Sequence, residues 1–262
     1  MGSCSISCLL LLLSCFIVSS TTTSDSAINS NSDKVTLELY YESLCPYSAN
    51  FIVNYLEKIF LDEQLISIVD LKLIPYGNAR IGPNNTITCQ HGQFECLLNT
   101  VEACAIKIWP DLEKHFPFIY CVETLVHERK YPEWESCYGK LNLDPKPISD
   151  CYSSGYGKEL ELQYAAETDD LQPPHKYVPW VVVDGQPLYE DYEDVVSYVC
   201  KAYKGASVPQ ACSIIYLNTV LSGKDKPARS VCDKETIMPT LLDRVRIAIT
   251  SWMHQAYLAA AV

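Results

Sequence analysis

Apolar and polar residues alternate in patterns that predict a strand, a helix and a second strand near the start of the chain. Val35 to Tyr41 alternates β-branched or aliphatic residues with others, as half-buried strands do. Ile66 to Ile74 is rich in β-forming residues and ends at the turn Pro75 to Asn78, so it predicts the second strand. The helix between them begins near Cys45, because apolar residues then recur at helical spacing, at Phe51, Ile52, Tyr55, Leu56, Ile59 and Phe60.

Two more strands and a helix are predicted further along the chain. Trp180 to Val183 and Gln186 to Leu188 flank Asp184-Gly185, a dipeptide typical of tight hairpins, and Val195 to Tyr203 has helical spacing. Between the two halves, Cys89 to Pro174 is rich in helix formers and carries six cysteines. This order predicts the α/β class, with a thioredoxin-like fold that contains an inserted helical, disulfide-rich subdomain.

The two ends of the chain differ from this central part. Leu9 to Val18 is an apolar run of ten residues, which suits the core of a signal peptide and is too short to cross a bilayer of about 30 Å. A buried helix of the fold is the alternative for this run. Thr240 to Ala261 has a helical pattern interrupted by charges, so we expect a surface amphipathic helix or a removable tail.

These patterns divide the chain into six parts. They are a signal peptide (1–20), a disordered polar lead (21–33), the first half of the thioredoxin-like domain (34–88), the helical cysteine-rich insertion (89–174), the second half of the thioredoxin-like domain (175–205), and a cysteine-containing C-terminal extension with its amphipathic tail (206–262).

Composition and charge narrow the environment and the partners. The 262 residues are 48% hydrophobic, which excludes a disordered chain. A formal net charge of −12 argues against nucleic acid or an anionic membrane as a main partner, because no basic stripe is present to neutralise phosphates. Thirteen cysteines are typical of an oxidising compartment. We therefore expect passage through the secretory pathway, no membrane span in the mature chain, and a glycan at Asn84 of the sequon Asn84-Asn85-Thr86.

Cys45 is the strongest candidate for a catalytic residue. A cysteine at the first turn of a helix meets unpaired backbone N–H groups and the positive end of the helix dipole, and both favour the thiolate over the thiol. Pro46 fits the first helical position, where a missing N–H costs nothing. We expect an exposed nucleophile for disulfide exchange, with a structural half-cystine as the alternative.

Ser48 occupies the position at which a redox dithiol carries its second cysteine, three residues after the first. Serine cannot form a disulfide, but its hydroxyl could donate a hydrogen bond to the Cys45 thiolate and support its ionised form. Cys45 could then attack a substrate disulfide, and release of the product would need an outside thiol or a third cysteine.

The segment Tyr177-Val178-Pro179-Trp180 is the second candidate. About 5–6% of X–Pro bonds in folded proteins are cis, so the base rate favours trans. In thioredoxin-like proteins, however, an X–Pro bond held cis before the third strand presents backbone to the reactive sulfur and to the bound peptide. We therefore expect a cis bond before Pro179 and substrate-backbone contacts from Val178 and Pro179.

A cluster of cysteine and histidine residues raises the question of a metal site. Its members belong to the residue types that bind zinc: Cys89, His91, Cys96 and Cys104. Their spacing does not match the common structural zinc patterns, and an oxidising compartment favours disulfides. We expect neither a metal nor another bound cofactor.

Histidines also raise the question of hydrolysis. His91, His127 or His175 could each partner a cysteine nucleophile. No hydrolase signature surrounds Cys45, so this alternative is weaker than disulfide exchange.

The segment from Cys89 to Cys104 carries a long family signature, CQHGxxECxxNxxxxC. The stretches LYYESLCPYS, PYGN and LQPPHKYVPWVVVDGQPL accompany it. From about Val35 to Cys232 the chain resembles the gamma-interferon-inducible lysosomal thiol reductase family. The resemblance implies a thioredoxin-like fold with a helical insert, delivery to a lysosomal or vacuolar lumen or secretion, and reduction of protein disulfides through an active-site Cys-x-x-Cys. Only the first of these cysteines carries over, to Cys45, because Ser48 stands at the second.

The remaining cysteines are odd in number once the signal peptide and Cys45 are set aside: Cys89, Cys96, Cys104, Cys121, Cys137, Cys151, Cys200, Cys212 and Cys232. Four bridges leave one thiol that is free, joined to Cys45, or paired between chains in a disulfide-linked homodimer. The sequence does not determine the connectivity. Short loops favour a Cys200–Cys212 bond and pairs within Cys89 to Cys104.

Two functional hypotheses follow. The first is a thiol–disulfide oxidoreductase that attacks protein or peptide disulfides through Cys45 by a monothiol mechanism, with a small thiol such as glutathione or cysteine as the external resolving co-substrate. The alternative is a thiol-capturing binding module or redox chaperone of the same fold that does not turn over. A purely structural glycoprotein is a third and weaker hypothesis.

Overall fold

The structure, a computed structural model, describes residues 34–221 and 231–233. The predicted signal peptide, polar lead and amphipathic tail lie outside the described residues. The strands are β1 (Val35–Tyr41), β2 (Val69–Pro75), β3 (Arg80–Ile81), β4 (Ile87–Thr88), β5 (Tyr177–Val178), β6 (Trp180–Val183), β7 (Gln186–Pro187) and β8 (Cys232–Asp233).

Helices fill most of the remaining described chain. They are α1 (Pro46–Phe51), which continues through the π-helical turn Ile52–Leu56 into α2 (Glu57–Leu61), then α3 (Glu63–Ser67), α4 (Gln93–Ile108), α5 (Leu112–His127), α6 (Ser136–Lys140), α7 (Lys146–Ser153), α8 (Gly155–Asp169), α9 (Val195–Ala202) and α10 (Gln210–Leu221). Short 3-10 turns lie at Pro83–Asn85, Tyr131–Glu133 and Tyr189–Asp194. No helix among the described residues is long and apolar enough to cross a membrane.

The central sheet has four strands in the order β2-β1-β6-β7. β1 runs parallel to β2 along its whole length, with Val35 opposite Val69, and antiparallel to β6. β7 returns antiparallel along β6 through the predicted Asp184-Gly185 turn, where Gly185 has a φ of 74°. Parallel strands joined by helices and then an antiparallel hairpin make this a thioredoxin-like fold with a helical insertion.

Alternating side chains of the sheet bury both of its faces. Leu37 and Leu39 pack on one face with helix residues such as Phe51 and Val199. Tyr40 and Trp180 pack on the other face, with the α8 residue Tyr164 beside them. The apolar strands therefore form the middle layer of three.

The insertion has an apolar core of its own, which α5 links to the sheet. Phe116 and Ile119 of α5 belong to the core on the sheet, whereas Phe118 and Val122 pack inside the insertion with residues such as Trp134. One helix thus serves two cores on opposite faces, as helical periodicity allows.

The predicted second strand begins three residues too early. Ile66 and Ser67 close α3, and β2 starts only at Val69. The Asp62 carboxylate accepts hydrogen bonds from the backbone N–H groups of Gln64 and Leu65, so it caps a short helix whose last apolar residues resemble a strand start. The helical cap prevails over the β propensity of Ile66.

The ten cysteines of the described residues form five disulfides: Cys45–Cys232, Cys89–Cys96, Cys104–Cys151, Cys121–Cys137 and Cys200–Cys212. The pairs at Cys89–Cys96 and Cys200–Cys212 are among those that short loops favour. The odd cysteine is Cys232, and it is joined to Cys45. Because these sulfurs are all paired within the chain, an interchain bond through one of them would require an existing disulfide to open.

Candidate active site

Cys45 lies between the end of β1 and the start of α1. Its backbone is extended, with φ −71° and ψ 117°, and Pro46 takes the first helical position. Its carbonyl accepts the first helical hydrogen bond, from the backbone N–H of Ala49. The helix start is therefore the one that the sequence predicts. The expected exposed free thiol is wrong for this state, because Cys45 is fully buried and bonded to Cys232.

Cys232 reaches Cys45 on a short strand beside the cis-proline. β8 pairs antiparallel with β5, so that Val178 stands opposite Cys232. The next peptide bond, Val178–Pro179, is cis, which is the isomer predicted from the sequence. The Cys45 sulfur lies 3.8 Å from the carbonyl oxygen of Val178. The structure thus brings together Cys45, Val178 and Pro179, which the sequence predicts as site residues. It also places Cys232, which the sequence does not predict there, beside them.

Ser48 is fully buried one helical turn after Cys45. Its hydroxyl makes no hydrogen bond with the described residues. A buried hydroxyl without a partner costs about 1–3 kcal/mol. The expected hydrogen bond to a Cys45 thiolate stays a prediction, because in this state the sulfur is part of a disulfide.

Glu42 is a fully buried carboxyl group beside the Cys45–Cys232 bond. One of its carboxyl oxygens and the sulfurs of Cys45 and Cys232 all lie within 4.8 Å of one another. Burial, and then the charge of Glu95, raise the pKa of Glu42 well above its ordinary value, although the backbone N–H of Asn78 donates to it at 3.0 Å. Glu42 is therefore a buried carboxyl group that loses its proton only at a higher pH than usual, and it lies next to a sulfur–sulfur bond.

His91 connects this acid to the protein surface. Its Nδ1 lies 3.4 Å from Glu42 Oε1 and is hydrogen-bonded to Glu95. The His91 side chain is partly exposed. Gly77 permits the close packing around Glu42, since its φ is 59° and a Cβ there would lie 2.7 Å from Glu42 Cβ. From the sequence, His91 is considered only as a metal ligand or as a hydrolytic partner of a cysteine. Its position beside Glu42 could be found only from the structure.

Asn78 and Gln90 bind the backbone of the Cys232 strand. Asn78 Nδ2 donates to the carbonyl of Cys232 at 3.1 Å, and Gln90 Nε2 donates to the carbonyl of Asp233 at 2.7 Å. Asn78 Nδ2 also donates to Gln90 Oε1 at 2.8 Å, which holds the two amides together. Both residues lie in the motifs PYGN and CQHG, but sequence reasoning assigned them no role.

Among the described residues, two clusters bring possible metal ligands within 4.8 Å of one another: Glu42, Cys45 and Cys232, and Glu42, His91 and Glu95. In the first cluster both sulfurs are consumed in a disulfide and offer no thiolate. In the second, His91 already pairs with Glu95, and burial raises the pKa of the shared Glu42, which disfavours the carboxylate form that a metal ion binds. Of the cysteines suggested as zinc ligands, Cys89 and Cys96 pair with each other, and Cys104 pairs with Cys151. The donor sets are therefore better suited to proton and disulfide chemistry than to a metal.

The other histidines and the sequon lie elsewhere. His127 is exposed at the end of α5, and His175 is buried two residues before β5. Asn84 is exposed in the turn between β3 and β4, where an N-linked glycan has room.

Further carboxyl groups are buried in the insertion. Burial raises the pKa of Glu102, which accepts a hydrogen bond from the Tyr41 hydroxyl, to about 7. Burial also raises the pKa of Glu161 on α8 to about 7. Burial, and then the charge of Glu102, raise the pKa of Glu123 as well. The interior therefore holds several acids that are uncharged at mildly acidic pH.

A thioredoxin-like fold, with a sulfur–sulfur bond between a helix start and the strand before a cis-proline, defines the class of thiol–disulfide oxidoreductases. Residues 36–141 match the family described as "Gamma interferon inducible lysosomal thiol reductase (GILT)". The "Gamma-interferon-responsive lysosomal thiol protein" of Arabidopsis thaliana is 45% identical over 210 residues, which cover 79% of this chain and 83% of that protein. The "Gamma-interferon-inducible lysosomal thiol reductase" of Mus musculus is 38% identical over 209 residues, 78% of each chain.

Among solved structures, a DsbA of Chlamydia trachomatis is similar at a TM-score of 0.46 and 14% identity, over 63% of this chain and 86% of that one. Because the Arabidopsis and mouse relatives match over most of their own lengths, the chain belongs to the gamma interferon inducible lysosomal thiol reductase family.

Proposed function

We propose that Cys45 is the nucleophile with which this thiol–disulfide oxidoreductase opens the disulfides of proteins and peptides. The observation that carries this proposal is the position of the Cys45 sulfur, at a helix start and 3.8 Å from the Val178 carbonyl before the cis-proline. Val178 and Pro179 then present backbone to the bound peptide. The helix start favours the thiolate once the Cys45–Cys232 bond is open.

The reaction is a sequence of exchanges in which electrons come from a small thiol. Two molecules of a thiol RSH reduce the Cys45–Cys232 bond to two thiols and leave as RSSR. The Cys45 thiolate then attacks a substrate disulfide, forms a mixed disulfide, and expels a substrate thiolate that takes up a proton. In a monothiol mechanism, an external thiolate such as that of glutathione or cysteine attacks the Cys45 sulfur of the mixed disulfide and frees the second substrate thiol. Cys45 is then bonded to the small thiol, and a second small thiol cleaves that bond, which regenerates the Cys45 thiolate and releases RSSR.

Ser48 and Glu42 stabilise or neutralise the thiolates that form in these exchange reactions. The Ser48 hydroxyl, which is buried without a partner, donates to the Cys45 thiolate when that thiolate forms. Glu42 supplies a proton to a departing thiolate and recovers one through His91.

The site of action that we propose is an oxidising lumen reached through the secretory pathway. Five disulfides, an exposed sequon at Asn84 and the word lysosomal in the names of both relatives support it. The signal peptide that would deliver the chain lies outside the described residues. A disulfide-linked homodimer would first require one intrachain disulfide to open.

One observation favours a second candidate function. Cys45 is held in a buried disulfide, and Ser48 has no thiol with which to resolve a mixed disulfide. A protein that captures a thiol partner and retains it would have the same site. Slow release of a captured partner by small thiols would identify this thiol-capturing module or redox chaperone. Fast release would identify the enzyme.

Reduction of a disulfide-bonded denatured protein in the presence of glutathione tests the proposal. We expect Cys45→Ser to abolish turnover at mildly acidic pH. The matched control is the double variant Cys200→Ser and Cys212→Ser, which loses a disulfide that does not involve Cys45 and should keep most of the activity. Equal turnover of Cys45→Ser and the unchanged protein would refute the role of Cys45.

A further inference from the structure

We propose that residues 231–233 are an internal substrate, and that Asn78, Gln90 and the β5 edge form the site that binds the backbone of a cysteine-containing substrate strand. This inference rests on the proposed function of Cys45. It adds the identity of the strand-binding residues, the chemistry of the peptide they accept, and the reason why Cys45 is closed in this state.

The first support is the pairing of β5. This strand is not part of the four-stranded sheet, and its partner among the described residues is β8. Tyr177 and Val178 are buried, and buried backbone N–H and C=O groups need hydrogen-bonding partners. An extended peptide of almost any sequence can provide them by adding a strand to this edge.

The second support is a pair of side-chain amides that contact the backbone of the strand. Asn78 and Gln90 donate to two successive backbone carbonyls, those of Cys232 and Asp233. Backbone carbonyls occur in every peptide, so these contacts hold an extended strand without reading its side chains. Both amides are buried, and their mutual hydrogen bond fixes their orientation.

The third support is the sulfur chemistry. The strand places Cys232 so that its sulfur bonds to Cys45, and these two residues form a small apolar cluster with Val178. This is the arrangement of a mixed disulfide between an enzyme and a peptide held beside a cis-proline, with both partners supplied by one chain.

The neighbours of Cys232 define which peptides fit. Val231 is partly buried against the apolar residues on both faces of the sheet, whereas Asp233 is exposed. A substrate strand should therefore carry an apolar residue before its cysteine and can carry a polar one after it. Reduction of the Cys45–Cys232 bond, followed by departure of residues 231–233, would open the site.

The test uses the full chain with Cys232→Ser, in which Cys45 has no internal partner. The probe is a synthetic peptide of residues 230–234, Ser-Val-Cys-Asp-Lys, whose cysteine is activated as a disulfide with thionitrobenzoate. Attack by the Cys45 thiolate joins the two cysteines and expels the coloured thionitrobenzoate anion. The symmetrical dithiobis(nitrobenzoate) reagent, which has no peptide backbone, reports the reactivity of the thiol alone.

We expect Asn78→Ala and Gln90→Ala, each added to Cys232→Ser, to slow the reaction with the peptide by about 3- to 10-fold more than the reaction with the small reagent. Glutamate in place of valine in the peptide should slow its reaction about fivefold. In the unchanged protein under non-reducing conditions, Cys45 should react with neither reagent.

Three results distinguish a failure of the proposed function from a failure of the internal-substrate inference. If the small reagent does not react with Cys45 in Cys232→Ser, the proposed function is wrong. If it reacts, but the peptide rate is the same with and without Asn78 and Gln90, the internal-substrate inference is wrong. The inference is also wrong if Cys45 of the unchanged protein is alkylated without reduction.

Discussion

Cys45 and Cys232 stand 187 positions apart in the sequence, yet their Cα atoms lie 6.2 Å apart and their sulfurs are bonded beside the Val178–Pro179 cis bond. The bond couples the start of a helix to β8, a strand that lies outside the four-stranded sheet. It closes the sulfur that we propose as the nucleophile. Under that proposal, reaction with a substrate begins with the opening of an internal disulfide.

Ser48→Cys should restore a dithiol site. Position 48 is buried one helical turn from Cys45, and cysteine is close to serine in size, so the variant should fold. With Cys232→Ser as the common background and after removal of small thiols, we expect it to release substrate from the mixed disulfide about tenfold faster or more, because only this variant has an attacking thiol next to Cys45 in the same molecule. Single-turnover release, measured by gel filtration of the labelled substrate, checks this.

Ser48→Ala is the matched control for this variant, since it removes the hydroxyl without adding a thiol. An unchanged rate of release from Ser48→Cys would mean that position 48 is not a resolving position in this fold.

Glu42→Gln should slow disulfide exchange at Cys45. Glutamine keeps an oxygen that can accept from the Asn78 backbone N–H, but it cannot supply a carboxylic proton to a departing thiolate. We expect the rate at which glutathione opens the Cys45–Cys232 bond to fall by about 10- to 100-fold. Quench-flow alkylation of Cys45 measures it.

The pH profile separates this role from a packing defect. The groups that face Glu42 are Glu95 and His91. Because the pKa of Glu42 is raised, its proton is present at mildly acidic pH and is lost as the pH rises through that pKa. The advantage of the unchanged protein over Glu42→Gln should therefore shrink as the pH rises. An equal loss at every pH would contradict proton donation.

The elements that surround the site could be predicted from the sequence because their signals are local. The alternation of Val35 to Tyr41, the helix start at Cys45 and the Asp184-Gly185 hairpin each depend on neighbouring residues, and the structure contains all three. The cis bond before Pro179 could be predicted only by combining its place before a strand with the other parts of a thioredoxin-like fold, because the base rate favours trans. The two disulfides that short loops favour, Cys89–Cys96 and Cys200–Cys212, close over 7 and 12 positions.

The partners of Cys45 could not be predicted in this way. Cys232 arrives from the far end of the chain, and nine cysteines allow too many pairings for the spacing to select it. Glutamate is usually a surface residue, so Glu42 gives no sign in the sequence that the fold buries it. Asn78 and Gln90 acquire a role only when β8 lies against them.

Stability should increase as the pH falls from about 7 to about 5, which suits a protein of an acidic lumen. Burial raises the pKa of Glu161 from 4.5 to about 7, so the folded state holds a proton that the unfolded state has lost within that range. This stabilisation is present below the unfolded pKa and is lost as the pH rises through the folded pKa. For Glu161 it amounts to at most about 3 kcal/mol.

Glu161→Gln should flatten this dependence, because glutamine is neutral at every pH. The control is Glu159→Gln, an exposed position on the same helix, which should leave the slope unchanged. Thermal unfolding under non-reducing conditions across this pH range measures both variants. A slope that Glu161→Gln does not alter would show that other groups cause it.

The most direct measurement of the central claim is stepwise reduction of the folded protein with increasing glutathione, followed by alkylation and mass spectrometry of each cysteine. A Cys45 thiolate stabilised at a helix start is a good leaving group, so we expect Cys45 and Cys232 to be labelled first, while the other four disulfides remain closed. If another pair opens first, or if Cys45 stays unlabelled under conditions in which the protein reduces its substrates, the assignment of Cys45 as the reactive sulfur is contradicted.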